Sequence, residues 1–407
     1  MTRRHAIAGA VALGVASHRS FAAEIAAKNP GAQESMDELT ARWRYAVRDG
    51  LPQSVRVDER DARRLYLCLK NGGLASLQIG EGDAAPRQIS RLAVASFGQL
   101  HVMDAQQQGS LLYLALGDLF AARGSAAGLA IVDCAEPSQL RLIGLWISPQ
   151  RVQGAAAVLV RGERAYVAAM SHGVLVFDVA RADKPRFITT IKPDPDFPRP
   201  DPGRVARPNS RGLAIDGSHL YIANDAGGVR VFSLGQDREA LEVGRYVNAR
   251  MATRQQAYNN LVIEDGIVFA AVDYAGLEII SARDPARMSQ LGWWNPWRAD
   301  TASNRWFNSR GHTNQIALDG ARRLVYLSAG DSELQVVDVA DPATPKLIAR
   351  HGAPGNGRGT WGLALARDAA YLTYLRTWVP FRGRWSGLVS VELPSKRTSG
   401  PQTRTAA

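Results

Sequence analysis

Long apolar runs are scarce in this sequence, and so is any helical spacing of apolar residues. The weakly apolar run near the start, residues 6–16, is too short to cross a bilayer, which requires roughly 20 apolar residues in a helix. No later segment approaches that length. We therefore expect no transmembrane anchor, and the lack of a 3.6-residue period argues against a helical architecture.

Cofactor and nucleotide motifs are also missing. The chain contains no phosphate loop, no dinucleotide fingerprint, no Gly-x-Ser-x-Gly elbow and no Cys-x-x-Cys-His haem attachment. Its only cysteines, Cys68 and Cys134, fall on different strands of neighbouring repeats, whereas a disulfide needs α-carbons within about 7 Å. We expect two small buried residues there, and the sequence identifies no cofactor.

Acidic residues are the minority among the charged ones. In 407 residues, Lys and Arg number 49 against 38 Asp and Glu, giving a formal charge of +11. The hydrophobic content of 46% is enough for a substantial core. A positive balance suits an anionic polymer, an acidic membrane surface or a nucleic acid. A composition rich in Arg and Ala also follows from a GC-rich genome, so the total alone does not identify a partner.

The N-terminal residues resemble a twin-arginine export signal. Arg3 and Arg4 precede a short run rich in Ala and Gly, and small residues at 20–22 offer a cleavage site. We expect a signal peptide at 1–22, a polar segment at 23–38 and a soluble periplasmic protein. Export argues against a nucleic acid as the partner.

One phrase returns along the chain. The stretch LQVVDVADPATPKLIARH at 334–351 is echoed at 129–146, at 174–191 and more faintly at 229–246. Each copy belongs to a unit of four short strands, rich in β-branched and aromatic residues, that recurs about every 50 residues. Four such strands form one propeller blade. Because seven second strands can be counted, we predict an all-β, seven-bladed β-propeller of four-stranded antiparallel blades at 39–393.

The two ends of the repeat region indicate how the ring closes. The last unit stops at 387–393 without a fourth strand, while the first unit is preceded by an orphan strand at 41–47. Placing that N-terminal strand on the outer edge of the last blade would complete the blade and remove unpaired edges. Residues 394–407 are then a polar C-terminal tail.

The phrase L-x-V-V-D-V-x-D-P-x-x-P resembles the LVIVD repeat family of bacterial surface and periplasmic β-propellers. The match extends over nearly the whole mature chain, and it is closest in the units whose third strands start at 129, 174 and 334. The resemblance implies the fold and the compartment, and it carries no reaction that could be transferred. Within the phrase, we expect Asp133, Asp178 and Asp338 to cap the backbone N–H groups of the following turn rather than to act in catalysis.

Long connections are predicted to gather at one end of the ring. The strands of a blade alternate in direction, so the links between second and third strands and between blades emerge at the same end, which we call the loop face. The long segments there carry about +10 by formal charge, against about −5 at the opposite face. These segments are 192–211, 248–259, 295–313, 351–361 and 376–387. The tryptophans in or beside them are Trp293, Trp294, Trp297, Trp306, Trp361, Trp378 and Trp385.

Arginine and tryptophan give the loop face a recognisable chemistry. Arg offers rigid forks for carboxylate, sulfate or phosphate, and Trp offers flat platforms for sugars, rings or cations, although about half of these Trp should only pack loops together. The candidate ligand-binding residues are Arg211, Tyr258, Asn259, Arg310, His312, Asn314, Arg358, Trp361, Trp306 and Arg376. The sequence predicts no metal site. If the axis gathered distant ligands, the candidates would be His101, His172 and His312.

Two functions stay open at this point. The first is an exported binding or scaffold protein whose basic, Trp-rich loop face receives an anionic small molecule, an acidic polymer or an acidic protein partner. The alternative is an enzyme at the channel mouth, either a lyase or hydrolase on an acidic saccharide or a metal-dependent oxidase. In that case His312, His172, Tyr258 and Arg211 would supply the base, the acid and the group that neutralises a carboxylate. One polar pocket holding these four residues would favour the enzyme, and their dispersal under packed loops would favour binding.

Overall fold

The computed structural model of this protein describes residues 36–82, 84–121, 124–198, 208–235, 240–378 and 381–394. Within these ranges the regular structure is almost entirely β-strand, arranged in seven sheets that each form one blade. The predicted seven-bladed, all-β propeller is therefore confirmed. The predicted signal peptide and the polar tail beyond residue 394 lie outside the described residues. None of the helices in the described part of the chain has the length and apolar character needed to span a membrane.

The strands follow the chain in blade order after two short N-terminal ones, β1 (Asp37–Glu38) and β2 (Ala41–Ala46). Blade 1 contains β3 (Ser54–Val57), β4 (Arg64–Cys68), β5 (Leu74–Gln78) and β6 (Arg87–Leu92). Blade 2 contains β7 (Val102–Gln108), β8 (Leu111–Leu116), β9 (Ser125–Asp133) and β10 (Arg141–Val152). Blade 3 contains β11 (Ala157–Arg161), β12 (Arg164–Ala168), β13 (Val174–Asp178) and β14 (Arg186–Ile191).

Blade 4 contains β15 (Gly212–Asp216), β16 (His219–Ala223), β17 (Val229–Leu234) and β18 (Ala240–Tyr246). Blade 5 contains β19 (Tyr258–Glu264), β20 (Ile267–Val272), β21 (Gly276–Ser281) and β22 (Ser289–Trp294). Blade 6 contains β23 (Gln315–Asp319), β24 (Leu324–Ser328), β25 (Leu334–Asp338) and β26 (Lys346–His351). Blade 7 contains β27 (Thr360–Leu365), β28 (Ala369–Tyr374) and β29 (Gly387–Glu392). Short 3-10 helices occur at Val94–Phe97, Ala249–Met251, Pro285–Arg287, Trp306–Asn308 and Gly330–Ser332.

The middle strands of a blade are apolar on both faces because a neighbouring blade packs on each side. In β4, Tyr66 and Cys68 pack toward blade 2, while Leu65 and Leu67 pack toward blade 7, and all four are buried. Successive side chains of a strand point to opposite faces, so an uninterrupted apolar run is the expected signature of this position. Cys68 and Cys134 are both buried and unpaired, which confirms the prediction for the cysteines.

The N-terminal strand closes the ring as predicted. Strand β2 pairs antiparallel with β29 and becomes the fourth strand of blade 7, and Trp43 of β2 stacks on Tyr371 at 5.7 Å between ring centroids. The first strands of the blades contact one another in a closed order, with β27 of blade 7 against β3 of blade 1. The structure also adds one unpredicted element, because β1 pairs in parallel with β26 as a fifth strand of blade 6.

Bridges between blades show that the long connections share one end of the ring. The turn after the second strand of one blade pairs with the start of the first strand of the next, as in Lys70 with Val102 and Asp273 with Thr313. Met170 pairs in the same way with Ser210, and Asp225 with Tyr258. Turns between second and third strands therefore lie beside the links between blades, which places all five long segments, where described, on the loop face.

At the opposite face the recurring aspartates of the repeated phrase are turn caps. The carboxylates of Asp133, Asp178 and Asp338 each accept a hydrogen bond from the backbone N–H two residues on, at 2.8 to 3.1 Å. This confirms the predicted role. The N–H of Ala135 and the guanidinium of Arg141 hold the pKa of Asp133 below its usual range.

Candidate functional site

The channel mouth on the loop face is covered by side chains from across the ring. The ring of Trp361, at the start of blade 7, meets Phe120 of blade 2 with 5.2 Å between centroids. The guanidinium of Arg211, just ahead of blade 4, lies 5.9 Å from the same indole. Blades 2, 4 and 7 are not neighbours, so these contacts reach over the axis. Trp361 is only 5% exposed, so its ring is enclosed by its neighbours.

The charged groups around the mouth largely satisfy one another. Lys70 Nζ and His101 Nδ1 each lie 3.3 Å from a carboxylate oxygen of Asp118. Burial opposes ionisation of Asp118, but His101, the backbone N–H of Phe120 and Lys70 outweigh it and hold the pKa of this carboxyl below its usual range. This arrangement leaves little free charge for a ligand on the side of blades 1 and 2.

Arg211 has an acidic neighbour of its own on the opposite side. Asp225, in the turn after β16, accepts a hydrogen bond of 2.9 Å from Asn209. Burial raises the pKa of Asp225, and the positive charge of Arg211 acts in the other direction. The positive charge of Arg211 thus acts on the carboxyl of Asp225, and its guanidinium also lies over the ring of Trp361.

His312 is enclosed by polar and aromatic groups. Its Nδ1 lies 2.5 Å from Oδ1 of Asp273, whose Oδ2 accepts a hydrogen bond of 2.9 Å from the indole N–H of Trp306. Burial raises the pKa of the nearby Asp331, and His312 lowers it. His312 is 1% exposed, and its Nε2 is buried without a hydrogen-bond partner among the described residues. The imidazole is therefore oriented, but it is shielded from solvent.

The hydroxyl of Tyr258 points into the core between blades 4 and 5. It donates a hydrogen bond of 2.9 Å to Glu278, which also accepts one from Tyr246 at 3.2 Å and one from Asn248 at 2.8 Å. Burial raises the pKa of Glu278 to about 7 although these three donors lower it. Tyr258 is thus committed to a buried carboxyl, away from the mouth.

Two predicted ligand-binding asparagines hold neighbouring blades together. The amide of Asn259 in blade 5 donates to the backbone carbonyl of Thr313 in blade 6 at 2.8 Å. The amide of Asn314 in blade 6 donates to the carbonyl of Thr360 in blade 7 at 3.1 Å. Both asparagines are buried, so their donors serve the ring.

The three histidines considered for a metal lie in different surroundings. His172 is half-buried near Lys192, and burial followed by that positive charge lowers its pKa. His101 is beside Asp118 and His312 beside Asp273. In the part of the chain that the structure describes, no group of three or more His, Cys, Asp or Glu side chains is arranged to hold a metal ion. None of the residues His172, Tyr258, His312 and Arg211 lines either of the two cavities described below.

A concave site lies at the rim of the loop face, between blades 6 and 7. A cavity of about 620 Å³, which we call the first cavity, is formed by Trp378 and the segments 307–309, 355–358 and 381–384. Its cationic groups are Arg358, Arg382 and Arg384, and its aromatic walls include Trp378, Phe381 and Phe307. Asp331 contributes the one acidic side chain of this lining. Trp378 is 77% exposed and Phe307 is 70% exposed, which is unusual for rings of this size.

Of the residues in this cavity, sequence reasoning singled out Arg358 alone as a ligand-binding candidate. The signal for Arg382 and Arg384 was present in the strong positive charge of the 376–387 segment. Arg310 and Arg376 are exposed on the loop face near the cavity in sequence but do not line it.

A second cavity of about 330 Å³ lies on the other side of the short helix Trp306–Asn308. Arg254 and Arg305 supply its cationic groups, and Trp306 and Tyr274 supply rings. Trp306 and Phe307 face different cavities, with 4.5 Å between their ring centroids. The helix is therefore a ridge between two basic, aromatic cavities.

Ion pairs occupy many of the arginines that lie outside the two cavities. At the opposite face, ion pairs join Arg60 to Asp58, Arg141 to Asp133, Arg186 to Asp178, Arg287 to Asp284 and Arg322 to Asp319. On the loop face, Arg250 pairs with Asp300. By contrast, none of the ion pairs between described residues involves the five arginines of the two cavities. Their charge is therefore available to an external anion.

Comparison with known proteins agrees with the architecture. The family model described as LVIVD repeat matches residues 310–351. Among solved structures, the RRP9 WD40 repeats align with a TM-score of 0.61 at 14% identity, covering 88% of this chain and 100% of that one. The C-terminal WD40 domain of Sif2 aligns at 0.58 and 10% identity, covering 89% and 100%. The computationally designed Ika8 protein aligns at 0.53 and 11%, covering 90% and 98%. These identities support the fold alone. The comparison with curated proteins found no match.

Proposed function

We propose that this LVIVD repeat-containing β-propeller is a binding protein that takes up an anionic ligand in the first cavity of its loop face. The observation that carries the proposal is the set of three arginines, Arg358, Arg382 and Arg384, which share a concave site with exposed aromatic rings and have no ion pair among the described residues. A propeller suits a binding or scaffold role because its rigid ring presents loops at one end.

The physics of the cavity favours an anion with a flat or ring-shaped part. Like charges held in one cavity repel each other, and a bound carboxylate, sulfate or phosphate relieves that repulsion. Arg presents a planar fork that binds such groups through two parallel hydrogen bonds. Trp378 and Phe307 add apolar area beside the fork that would leave water when a ligand binds.

Binding is better supported than catalysis. Two of the four residues proposed for catalysis are engaged elsewhere, since Tyr258 is bound to Glu278 and His172 lies near Lys192. His312 is oriented by Asp273, as a general base would be, but its free Nε2 is buried. A proton acceptor needs to come within hydrogen-bond reach of its substrate.

We further propose that the protein works after export to the periplasm. The support for this is the Arg3-Arg4 pair followed by a short apolar run and small residues at 20–22. Cell fractionation of the native host, with detection of this chain, tests the compartment.

Titration with galacturonate tests the binding proposal. Quenching or enhancement of tryptophan fluorescence reports binding, because Trp378 is a cavity wall and is exposed. Replacing Arg382 by alanine should raise the Kd about tenfold, equivalent to about 1.4 kcal/mol. Binding should also weaken at high salt as the Debye length contracts.

Arg287→Ala is the matched control, because it removes the same charge from the opposite face. Its Kd should equal that of the unmodified protein. If Arg382→Ala and Arg287→Ala bind galacturonate equally well, or if high salt has no effect, the first cavity is not the anion site.

A further inference from the structure

We infer that the ligand is an acidic oligosaccharide chain long enough to occupy both cavities and to cross the ridge Trp306–Asn308. This inference rests on the proposed anion binding in the first cavity, and it adds the class of ligand and a second subsite. Three features of the two cavities support it.

The first feature is that the cavities are adjacent. Arg305 and Trp306 line the second cavity, while Phe307 and Asn308 line the first, so consecutive residues of one short helix face different sites. A single anion would fill one cavity and leave the other arginines unpaired. A chain with a repeated charge would meet a basic group on each side of the ridge.

The second feature is the kind of cation that the cavities contain. All cationic side chains among the described lining residues are arginines, three in the first cavity and two in the second. A strongly hydrated lysine ammonium attracts any anion, whereas the guanidinium fork is selective for planar carboxylates and for sulfate or phosphate oxygens. The exposed side chains of Thr253 and Gln255 in the second cavity can bond sugar hydroxyls.

The third feature is the exposure of the aromatic walls. Phe307 and Trp378 each leave more than two thirds of their area in water, and Phe307 lies beside the ring of Trp306 with 4.5 Å between ring centroids. Such rings gain most from a ligand with a flat apolar face, which the C–H side of a pyranose supplies. A folded acidic protein would instead need a standard interface of about 800 Å² on each partner, which concave cavities do not provide.

Binding of oligogalacturonates of increasing length tests the inference. The hexamer should bind at least about tenfold more tightly than the monomer, because contacts in the second cavity become intramolecular once the first is filled. Arg305→Ala should weaken hexamer binding by a clearly larger factor than monomer binding. Arg287→Ala is again the control and should bind both ligands like the unmodified protein.

A peptide ligand is distinguished with hexaglutamate, which matches the hexamer in charge. We expect hexaglutamate to bind about tenfold more weakly than hexagalacturonate. We also expect Trp378→Ala to weaken the binding of hexagalacturonate by a similar factor and to leave the binding of hexaglutamate unchanged. Equal binding of the two hexamers, with no effect of Trp378→Ala, would overturn the saccharide class.

The length dependence separates this inference from the proposed function. If the hexamer binds no more tightly than the monomer, or if Arg305→Ala affects both equally, the second subsite is refuted. If Arg382→Ala still weakens the binding of the galacturonate monomer in that case, the proposed anion binding in the first cavity is retained. If Arg382→Ala has no effect on the monomer either, both proposals fall.

Discussion

Replacing Glu278 by glutamine should remove a defined part of the pH dependence of folding. Glu278 is fully buried in blade 5, where Tyr246, Tyr258 and Asn248 donate hydrogen bonds to its two oxygens. Burial nevertheless dominates and raises the pKa of this carboxyl from 4.5 to about 7. The folded protein therefore keeps a proton that the unfolded chain has lost.

The sign and size of this pH effect follow from the linkage between proton binding and folding. Below pH 4.5 both states hold the proton, so the shift contributes nothing to the unfolding free energy. As pH rises from 4.5 to about 7, the unfolded state ionises while the folded state does not, and stability falls by about 1.4 kcal/mol per pH unit. Above pH 7 the carboxyl is ionised in both states, and the unfolding free energy falls no further. Between pH 5 and pH 8 the difference amounts to about 2.5 kcal/mol.

Urea unfolding followed by tryptophan fluorescence at pH 5 and at pH 8 measures this difference. The unfolding free energy of the unmodified protein minus that of Glu278→Gln should be about 2.5 kcal/mol larger at pH 5 than at pH 8. Glu136→Gln changes an exposed carboxyl of the opposite face and should show no such difference. A difference independent of pH would mean that Glu278 ionises normally inside the fold.

Two further substitutions test how the ring is held together. Trp43→Ala should lower the unfolding free energy by about 3 to 5 kcal/mol, because Trp43 is buried in the closing strand against Tyr371. Trp378→Ala removes an exposed ring and serves as the control, and equal melting temperatures of the two variants would refute the prediction. Gly292→Ala should cost about 1 to 3 kcal/mol, because a Cβ there would collide with the carbonyl oxygen of Pro342 in the next blade, and an unchanged urea midpoint would contradict the clash.

The fold could be predicted because each repeat unit contains the sequence signals of one complete blade. Apolar runs, turn residues and the capping aspartates recur at a fixed spacing, and a blade needs only its neighbours for burial. Ring closure was predictable for the same reason, since the orphan strand containing Trp43 and the incomplete last unit are complementary. The parallel pairing of β1 with β26 left no such pattern, because a strand of two residues has no period.

The site was only partly predictable, because one residue of register decides where a side chain points. Tyr258 and Asn259 are neighbours at the start of β19, yet one hydroxyl enters the core between blades 4 and 5 and one amide reaches blade 6. The contact of Trp361 with Arg211 joins blades 7 and 4 across the axis, which no local pattern encodes. The charge of the sequence singled out the loop face, and only the structure revealed the cavity there.

The placement of unpaired arginines connects these observations. Several arginines of the opposite face are matched by aspartates such as Asp58, Asp133 and Asp178, whereas the three arginines of the first cavity have no ion pair among the described residues. Folding gains nothing from concentrating Arg358, Arg382 and Arg384 in one cavity, where their mutual repulsion opposes it. The exposed rings beside them, Phe307 and Trp378, bury less than a third of their area in the free protein. We propose an external anion as the reason for both features, because neither is accounted for by burial or by ion pairs among the described residues.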